Sequence, residues 1–410
     1  MTRKQYFIIV LILGALSTIS PFAIDMYLPG FPAIAKDLNT TISQVQLSLT
    51  SYLIGISAGQ LLYGPLLDRY GRKTPLYIGL VVYILASLGC AFVNSADSLI
   101  AMRFLQAVGG CAGMVAAQAL VRDIFPVDKT AQAFSLLTLV IAVSPMIAPT
   151  LGGYVTAEFG WHAVFLILAG ITVLIMLGVY VALPEGKQAD PSISLKPKPV
   201  LGNFLIVLKQ PQFLIYVLAG GIATAAPFAY IAGSSDVFIN IYHVSEKEYG
   251  WIFAFLAFAM IGSTQLNHVL LKRFRSQQVV YATLLYQNVV GILLVVGVWQ
   301  GWFGLYSLIL LMFIFLTGQG LTNPNASALS LAPFTKHTGS AAALLGSFRM
   351  AMGGLASAVV SILHSGTALP MVSVMSLCTL TGLFILVVGK STVRYRANKR
   401  EVEEDTSVLL

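Results

Sequence analysis

The sequence predicts an all-α integral membrane protein with twelve transmembrane helices. Of 410 residues, 57 % are apolar and only 10 % charged, where a soluble domain carries about 25 % charged residues. Apolar stretches of roughly 20 residues recur along the whole length, each enough to cross a hydrocarbon core of about 30 Å as a helix. They fall at 6–29, 43–66, 75–94, 99–121, 132–156, 162–183, 213–235, 249–270, 278–299, 303–323, 339–363 and 368–389. An even count puts both termini on one side, and the cations choose it. Of the 24 Lys and Arg, twenty lie in the termini and even-numbered loops, Lys36 and Lys247 lie in loops opposite, and Arg103 and Arg349 lie inside spans. Cationic loops stay cytoplasmic, so both termini are expected there. The net charge of +8 is accounted for by this orientation without a nucleic-acid partner.

The first span opens after Arg3 and Lys4 like a secretory signal, but its run contains Pro21 and Asp25 and has no small-residue cleavage site, so it reads as a span. Asp25 stands in its outer half, in "SPFAIDMYLPGFP". An ionised carboxylate there costs at least about 2.5–3.5 kcal/mol on insertion scales, so it must be paired, wet or protonated. A site alternately dry and wet can take and release a proton near neutral pH. Pro21, Asp25 and Pro29 recur every four residues on one face, and Pro29 offers no N–H to the Asp25 carbonyl, which bends the backbone. The alternative is an aspartate solvated at the interface, with Pro29 ending the helix.

The second span ends in "GPLLDRYGRK", Gly64 to Lys73. Arg69, Arg72 and Lys73 carry the orientation signal, and Gly71 permits a tight αL turn between antiparallel helices. Arg103 stands about five residues into the fourth span, where it either snorkels or finds an anion; Asp25 lies at similar depth. In the fifth span Pro145 and Pro149 bend the helix, while Gly152 and Gly153 admit a neighbouring backbone. The polar stretch from Pro184 to Pro211 has turn formers and lysines but no apolar period. It divides the chain into a six-helix bundle over 1–184, a cytoplasmic linker over 185–211, a second bundle over 212–390 and a cytoplasmic tail over 391–410. "LLDRYGRK" at 66–73 and "LLKRFRSQ" at 270–277, 204 residues apart, suggest that the halves repeat one design, with substrate bound between them. Arg349, near the middle of span eleven, is too deep to snorkel easily and should face a cavity or a polar partner, bracing the span or contacting substrate. Tyr27, Tyr52, Phe228, Tyr230 and Phe255 are candidates to stack on a lipophilic ligand, although such residues more often pack or form belts. Cys90, Cys111 and Cys378 lie within apolar segments at no metal-like spacing, so neither a disulfide framework nor a metal site is expected.

"GPLLDRYGRK" resembles the signature loop of the major facilitator superfamily. "RFLQAVGG" from Arg103 and "SPMIAPTLGG" from Ser144 resemble its fourth-helix motif and the fifth-helix motif of its antiporters. "AIDMYLP", "SYLIGISAGQLLYGP" and "GSFRMAMGG" are similar to the Bcr/CflA group, drug:proton antiporters of the bicyclomycin and chloramphenicol type. The resemblance implies two pseudo-symmetric six-helix bundles. It assigns Arg103 to proton coupling beside Asp25. It makes Asp68 a cytoplasmic gate with Gly64, Arg69, Gly71, Arg72 and Lys73, pairing with Arg72 or Arg122 and with the start of span eleven near Gly339, whose dipole favours an anion. Lys272 and Arg275 replace Asp68 and Gly71 in the second copy, so the gate carries over only to the first. Ser144 and Ala148 stand where the antiporter motif prefers glycine.

These features lead to a proton-coupled exporter of small amphiphilic compounds, monomeric in the inner membrane. A proton symporter for nutrient uptake and a non-transporting sensor are the alternatives; the short tail argues against the sensor. No "GxxxxGK[ST]" occurs, so the proton gradient rather than a cofactor is the expected energy source. One charge moved down 100 mV supplies about 2.3 kcal/mol. No His-Glu-x-x-His occurs and the five His are scattered, which argues against a membrane enzyme.

Overall fold

The structure is a computed structural model that describes the backbone of residues 3–192, 197–334 and 337–408. The cations counted at Arg3, Lys196, Lys198, Lys336 and from Lys390 onward lie outside the described side chains. The helices are α1 (Arg3–Asp25), α2 (Phe31–Asp37), α3 (Ile42–Tyr70), α4 (Lys73–Ala91), α5 (Ala96–Ile124), α6 (Val127–Phe159), α7 (Trp161–Ala182), α8 (Pro197–Leu208), α9 (Pro211–Ala223), α10 (Ala226–Ser235), α11 (Glu246–Leu270), α12 (Ser276–Trp299), α13 (Leu305–Leu331), α14 (Thr338–Ile362) and α15 (Leu369–Val408). Twelve spans among the described residues are long and apolar enough to cross a bilayer. The protein is a multi-pass membrane protein, and large apolar side chains such as Leu85, Leu174, Val289 and Phe384 are exposed around its circumference.

Two spans are broken helices. The first runs from Lys4 to Asp37, longer than the expected 6–29, and breaks at Met26 and Tyr27, between the end of α1 and a 3₁₀ turn over Leu28–Gly30. Pro29 starts that turn and Pro32 starts α2, where a missing N–H does no harm. The seventh is its counterpart: α9 stops at Ala223, α10 restarts with Pro227 in its first turn, and a π-helical turn over Asp236–Ile241 ends it. Thus the opening span of each half is interrupted. Gly71 closes α3 at φ +80°, ψ 170°; this is not the αL turn expected, but the positive φ still favours glycine. The polar stretch before Pro211, expected to lack helix, contains α8, whose Val207 packs against Phe213, Val217, Ala341 and Leu345.

The first six spans pack as one bundle and the last six as another, and two seams join them. Along the first seam Thr50 donates to Ser357 (2.9 Å) and Ser57 to the Ser347 carbonyl (2.9 Å), joining α3 to α14. Along the second, Thr150 donates to the Gly250 carbonyl (3.1 Å), Lys247 pairs with Glu158 (2.5 Å), and Gly153 lies against the Glu246 carbonyl. Thr50–Ser357 and all the α6–α11 contacts fall in the C-terminal halves of α6 and α14 and the N-terminal halves of α3 and α11, while Ser57–Ser347 lies near the middle of α3 and α14. The bundles are therefore closed together at the end away from the Arg69–Lys73 and Lys272–Arg275 loops and apart at the end bearing them, called here the basic face.

Candidate functional site

Between the bundles a cavity of about 1660 Å³ opens on the basic face. Helices α3, α5 and α6 supply one wall and α11, α13 and α14 the other; Asn203 and Phe204 of α8 stand at its mouth. Its lining mixes apolar side chains such as Met114, Leu139, Met260 and Met350 with amides such as Gln60, Gln118, Gln319 and Asn323. An apolar pocket with a few polar groups is the usual form of a small-molecule site.

At the mouth, Arg72 Nη1 lies 2.6 Å from Asp68 Oδ1, and its Nε lies 2.6 Å from Asp123 Oδ2. Asp123 also accepts from the Lys187 N–H at 3.1 Å, and Lys73 pairs with Glu185 at 3.2 Å. The loop after α7 is thereby tied to the start of α4. Asp68 pairs with Arg72 alone of the two cations expected: Arg122 instead lies 5.9 Å from the ring centre of Phe134, across from Gly339 in the cavity lining. Arg69 lies over Tyr70, and no atom lies within 4 Å of where a Cβ on Gly64 or Gly339 would sit. With this end open, α3 and α14 do not meet there. Asp123, which sequence reasoning missed, follows Arg122 directly, and that adjacency is the signal that could have found it.

At the closed end Arg103 has no exposure at all, which excludes snorkelling. Its guanidinium carbon lies 4.1 Å from the ring centres of both Tyr27 and Tyr52 and 5.7 Å from that of Phe165. Nη1 donates to Gln106 at 2.5 Å and Nη2 to the Ala23 carbonyl at 2.8 Å, while Gln106 donates to Ser87 at 2.7 Å. The expected ion pair with Asp25 is therefore not made; aromatic faces and neutral oxygens surround the charge instead, and Nε has no hydrogen-bond partner. Asp25, at the last turn of α1, is 4 % exposed and its Oδ1 has no hydrogen-bond partner. The turn that follows it, over Leu28–Gly30, packs against α10 and α11 of the other bundle. Asp25 is thus buried at the closed junction of the bundles, not solvated at an interface, and it does not line the cavity.

In α6, Pro145 and Pro149 are accommodated within one continuous helix; a side chain on Gly152 would strike the Met26 carbonyl and one on Gly153 the Glu246 carbonyl. Arg349 reaches the cavity wall, where Nη2 donates to the Asn323 carbonyl (3.2 Å) and Ser327 Oγ (2.6 Å). The five aromatics do not line this cavity: Tyr27 and Tyr52 enclose Arg103, Tyr230 stacks on Phe253 in the core, Phe228 lies against Gly353, and Phe255 stacks on Phe313 at the outer surface, 49 % exposed. Also unforeseen is buried Asp236, paired with His364 at 3.2 Å and accepting from Asn240 at 2.8 Å.

Residues 13–358 match the profile described as the Major Facilitator Superfamily. The chain belongs to the major facilitator superfamily. Within it, the chain is 33 % identical to the bicyclomycin resistance protein homolog of Haemophilus influenzae over 92 % of its own length and 94 % of that protein's. It is 29 % identical to a chloramphenicol resistance protein of Pseudomonas aeruginosa over 98 % and 94 %, and 28 % identical to the multidrug resistance protein MdtL of Escherichia coli over 91 % and 93 %. These relatives agree with the group that the motifs resemble. The fold is shared with a bacterial homologue of the human lysosomal transporter Spinster, solved inward-facing both unoccupied and occupied. At 14 % identity the TM-scores are 0.71 and 0.72, over 95 % of this chain and 96 % of that one. As a superfamily member the protein is a transporter, not an enzyme.

Proposed function

We propose that the protein exports small amphiphilic compounds in exchange for protons by alternating access, as a monomer in a bacterial-type inner membrane. Both termini and the basic face are cytoplasmic in this reading, as the Lys and Arg distribution favours, so the open cavity faces inward. The observation that carries the proton coupling is Asp25: a carboxyl sealed in the closed junction with no ion pair to a cation among the described residues. An ionised Asp25 costs about 2.5–3.5 kcal/mol on insertion scales, and the carbonyl end of the α1 dipole opposes negative charge there as well. The outer junction therefore closes over the neutral acid and is driven apart by the ionised one. The corresponding bias is on the order of a hundredfold.

A cycle follows. With the cavity open inward, substrate loading loosens the sealed junction and lets Asp25 release its proton through the cavity to the cytoplasm; the ionised acid then favours opening outward, where substrate departs. A proton from outside neutralises Asp25 and lets the junction close. Arg103, with Tyr27 and Tyr52, holds the Ala23 carbonyl and so positions the segment that carries Asp25. Asp68, Arg72 and Asp123 belong to the cytoplasmic gate, and Gly152 and Gly153 to the outer one. The names of the relatives support drugs as cargo. In inside-out vesicles with an acidified lumen, addition of chloramphenicol or bicyclomycin should release lumenal protons, and Asp25→Asn should abolish that release. A signal of the opposite sign would make the protein a symporter, and undiminished release in the variant would remove Asp25 from the coupling.

A further inference from the structure

We propose that, beside neutral compounds, the cavity takes substrates bearing a carboxylate or similar oxyanion, and that Arg349 receives it. The inference rests on the exporter reading and adds the chemical class of the cargo. Arg349 lies about 16 Å along α14 from its cytoplasmic end, inside the membrane and in the cavity wall. Its two hydrogen bonds run from Nη2 to neutral acceptors, the Asn323 carbonyl and Ser327 Oγ. Its Nε is buried without a partner, and no carboxylate lies within 4 Å among the described residues.

The other charges of the cavity do not compensate it. Asp68 and Asp123 stand at the mouth, and Arg72 already holds both. Arg122 and His268, at the cytoplasmic ends of α5 and α11, add no negative charge. Neutral oxygens orient a guanidinium without cancelling its charge, and a cation held in a membrane interior calls for a counter-ion. Arg103, the other intramembrane arginine, meets that demand with two ring faces at 4.1 Å; Arg349 has no ring over it among the described residues. Its planar fork leaves donors suited to a bidentate oxyanion, and the adjoining amides of Gln60, Gln319 and Asn323 tolerate varied polar groups beside it.

The test compares two probes of nearly equal size, dansylglycine and its uncharged methyl ester, by fluorescence titration of the purified protein in detergent at pH 7.5. The wild type is expected to bind the acid at least tenfold more tightly than the ester. Arg349→Gln should erase that preference by weakening the acid alone, and Arg349→Lys, which keeps the charge without the fork, should fall between. Equal wild-type affinities, no saturable binding of the acid, or equal weakening of both probes by Arg349→Gln would overturn the proposal and leave Arg349 a brace. If Arg349→Gln does not fold, the wild-type ratio still decides the preference for the anion, and Arg349→Lys decides whether Arg349 receives it. Binding in detergent needs no gradient, so an intact acid preference without proton-coupled transport would support the subsite and refute the exporter reading alone.

Discussion

Gly153→Ala tests whether the seam between α6 and α11 sets the state that is open at the basic face. A methyl group on Gly153 would strike the Glu246 carbonyl oxygen and stand 3.1 Å from its carbon and 3.4 Å from the Lys247 Cα. Carbon atoms pack best at about 3.5–4.0 Å, and the obstacles are backbone atoms, which cannot swing aside as a side-chain end would. The two bundles must therefore separate locally by about half an ångström or more. Overpacking of this kind costs about 1–3 kcal/mol. The contact exists only while the end away from the basic face is shut, so the cost falls on this state and shifts the equilibrium toward opening of that end by a factor of about 5 to 150. Spin labels on Asn94→Cys and Trp302→Cys, in outer loops of the two bundles, report that opening as a longer distance population. Cys90, Cys111 and Cys378 are buried and should escape a polar label. The expected result is a larger long-distance population in Gly153→Ala and a still larger one in Gly153→Val. Unchanged distances in both variants, with both folded, would refute the seam as the determinant.

Other substitutions separate the remaining elements. Asp25→Asn mimics the neutral acid, so the same labels should report the closed outer end at every pH from 5.5 to 8.5, whereas the wild type should open as pH rises. At the mouth, the side chain of Asp123 is 16 % exposed and that of Asp68 45 %, so solvent screens the Asp68 pair more. Thermal unfolding in detergent should show Asp123→Asn destabilising by about 1–2 kcal/mol and Asp68→Asn by less; the reverse order would contradict the burial argument. Arg103→Lys keeps the charge but loses stacking between Tyr27 and Tyr52 and the fork to Gln106 and Ala23. It should lower both thermal stability and proton-coupled flux, and full activity would leave only a point charge as its role.

Hydropathy made the twelve spans legible because transfer energy repeats over some 20 residues and survives any packing. The mouth was partly legible for a different reason: Asp68, Gly71 and Arg72 lie within five positions, where local chemistry leaves few geometries. The cage around Arg103 was not, since Tyr27, Tyr52, Gln106 and the Ala23 carbonyl come from three separated segments and meet only in the packed bundle. Aromatics carried the least information. Tyr230 in the core and Phe255 at the outer surface look alike in sequence, because core, cavity and lipid all accept a ring. Helix α8 was hidden by Pro197, Lys198 and Pro199 at its start; Val207 finds its apolar partners only across the junction with α9 and α14.

The interruptions at Met26–Tyr27 and Thr224–Ala225 have a mechanical consequence. An unbroken transmembrane helix behaves as a rod, so tilting one end displaces the other. A rod cut within the span transmits bending poorly, because each piece keeps its own hydrogen bonds and only the few torsions at the cut must change. The outer pieces, α2 and the π turn after α10, pack on each other and can travel with the outer end while α1 and α9 keep their seats. The bundle thereby has a joint in each half. Asp25 sits at one of them, where a few degrees of backbone rotation alter its access to water more than rigid rotation of the whole half would.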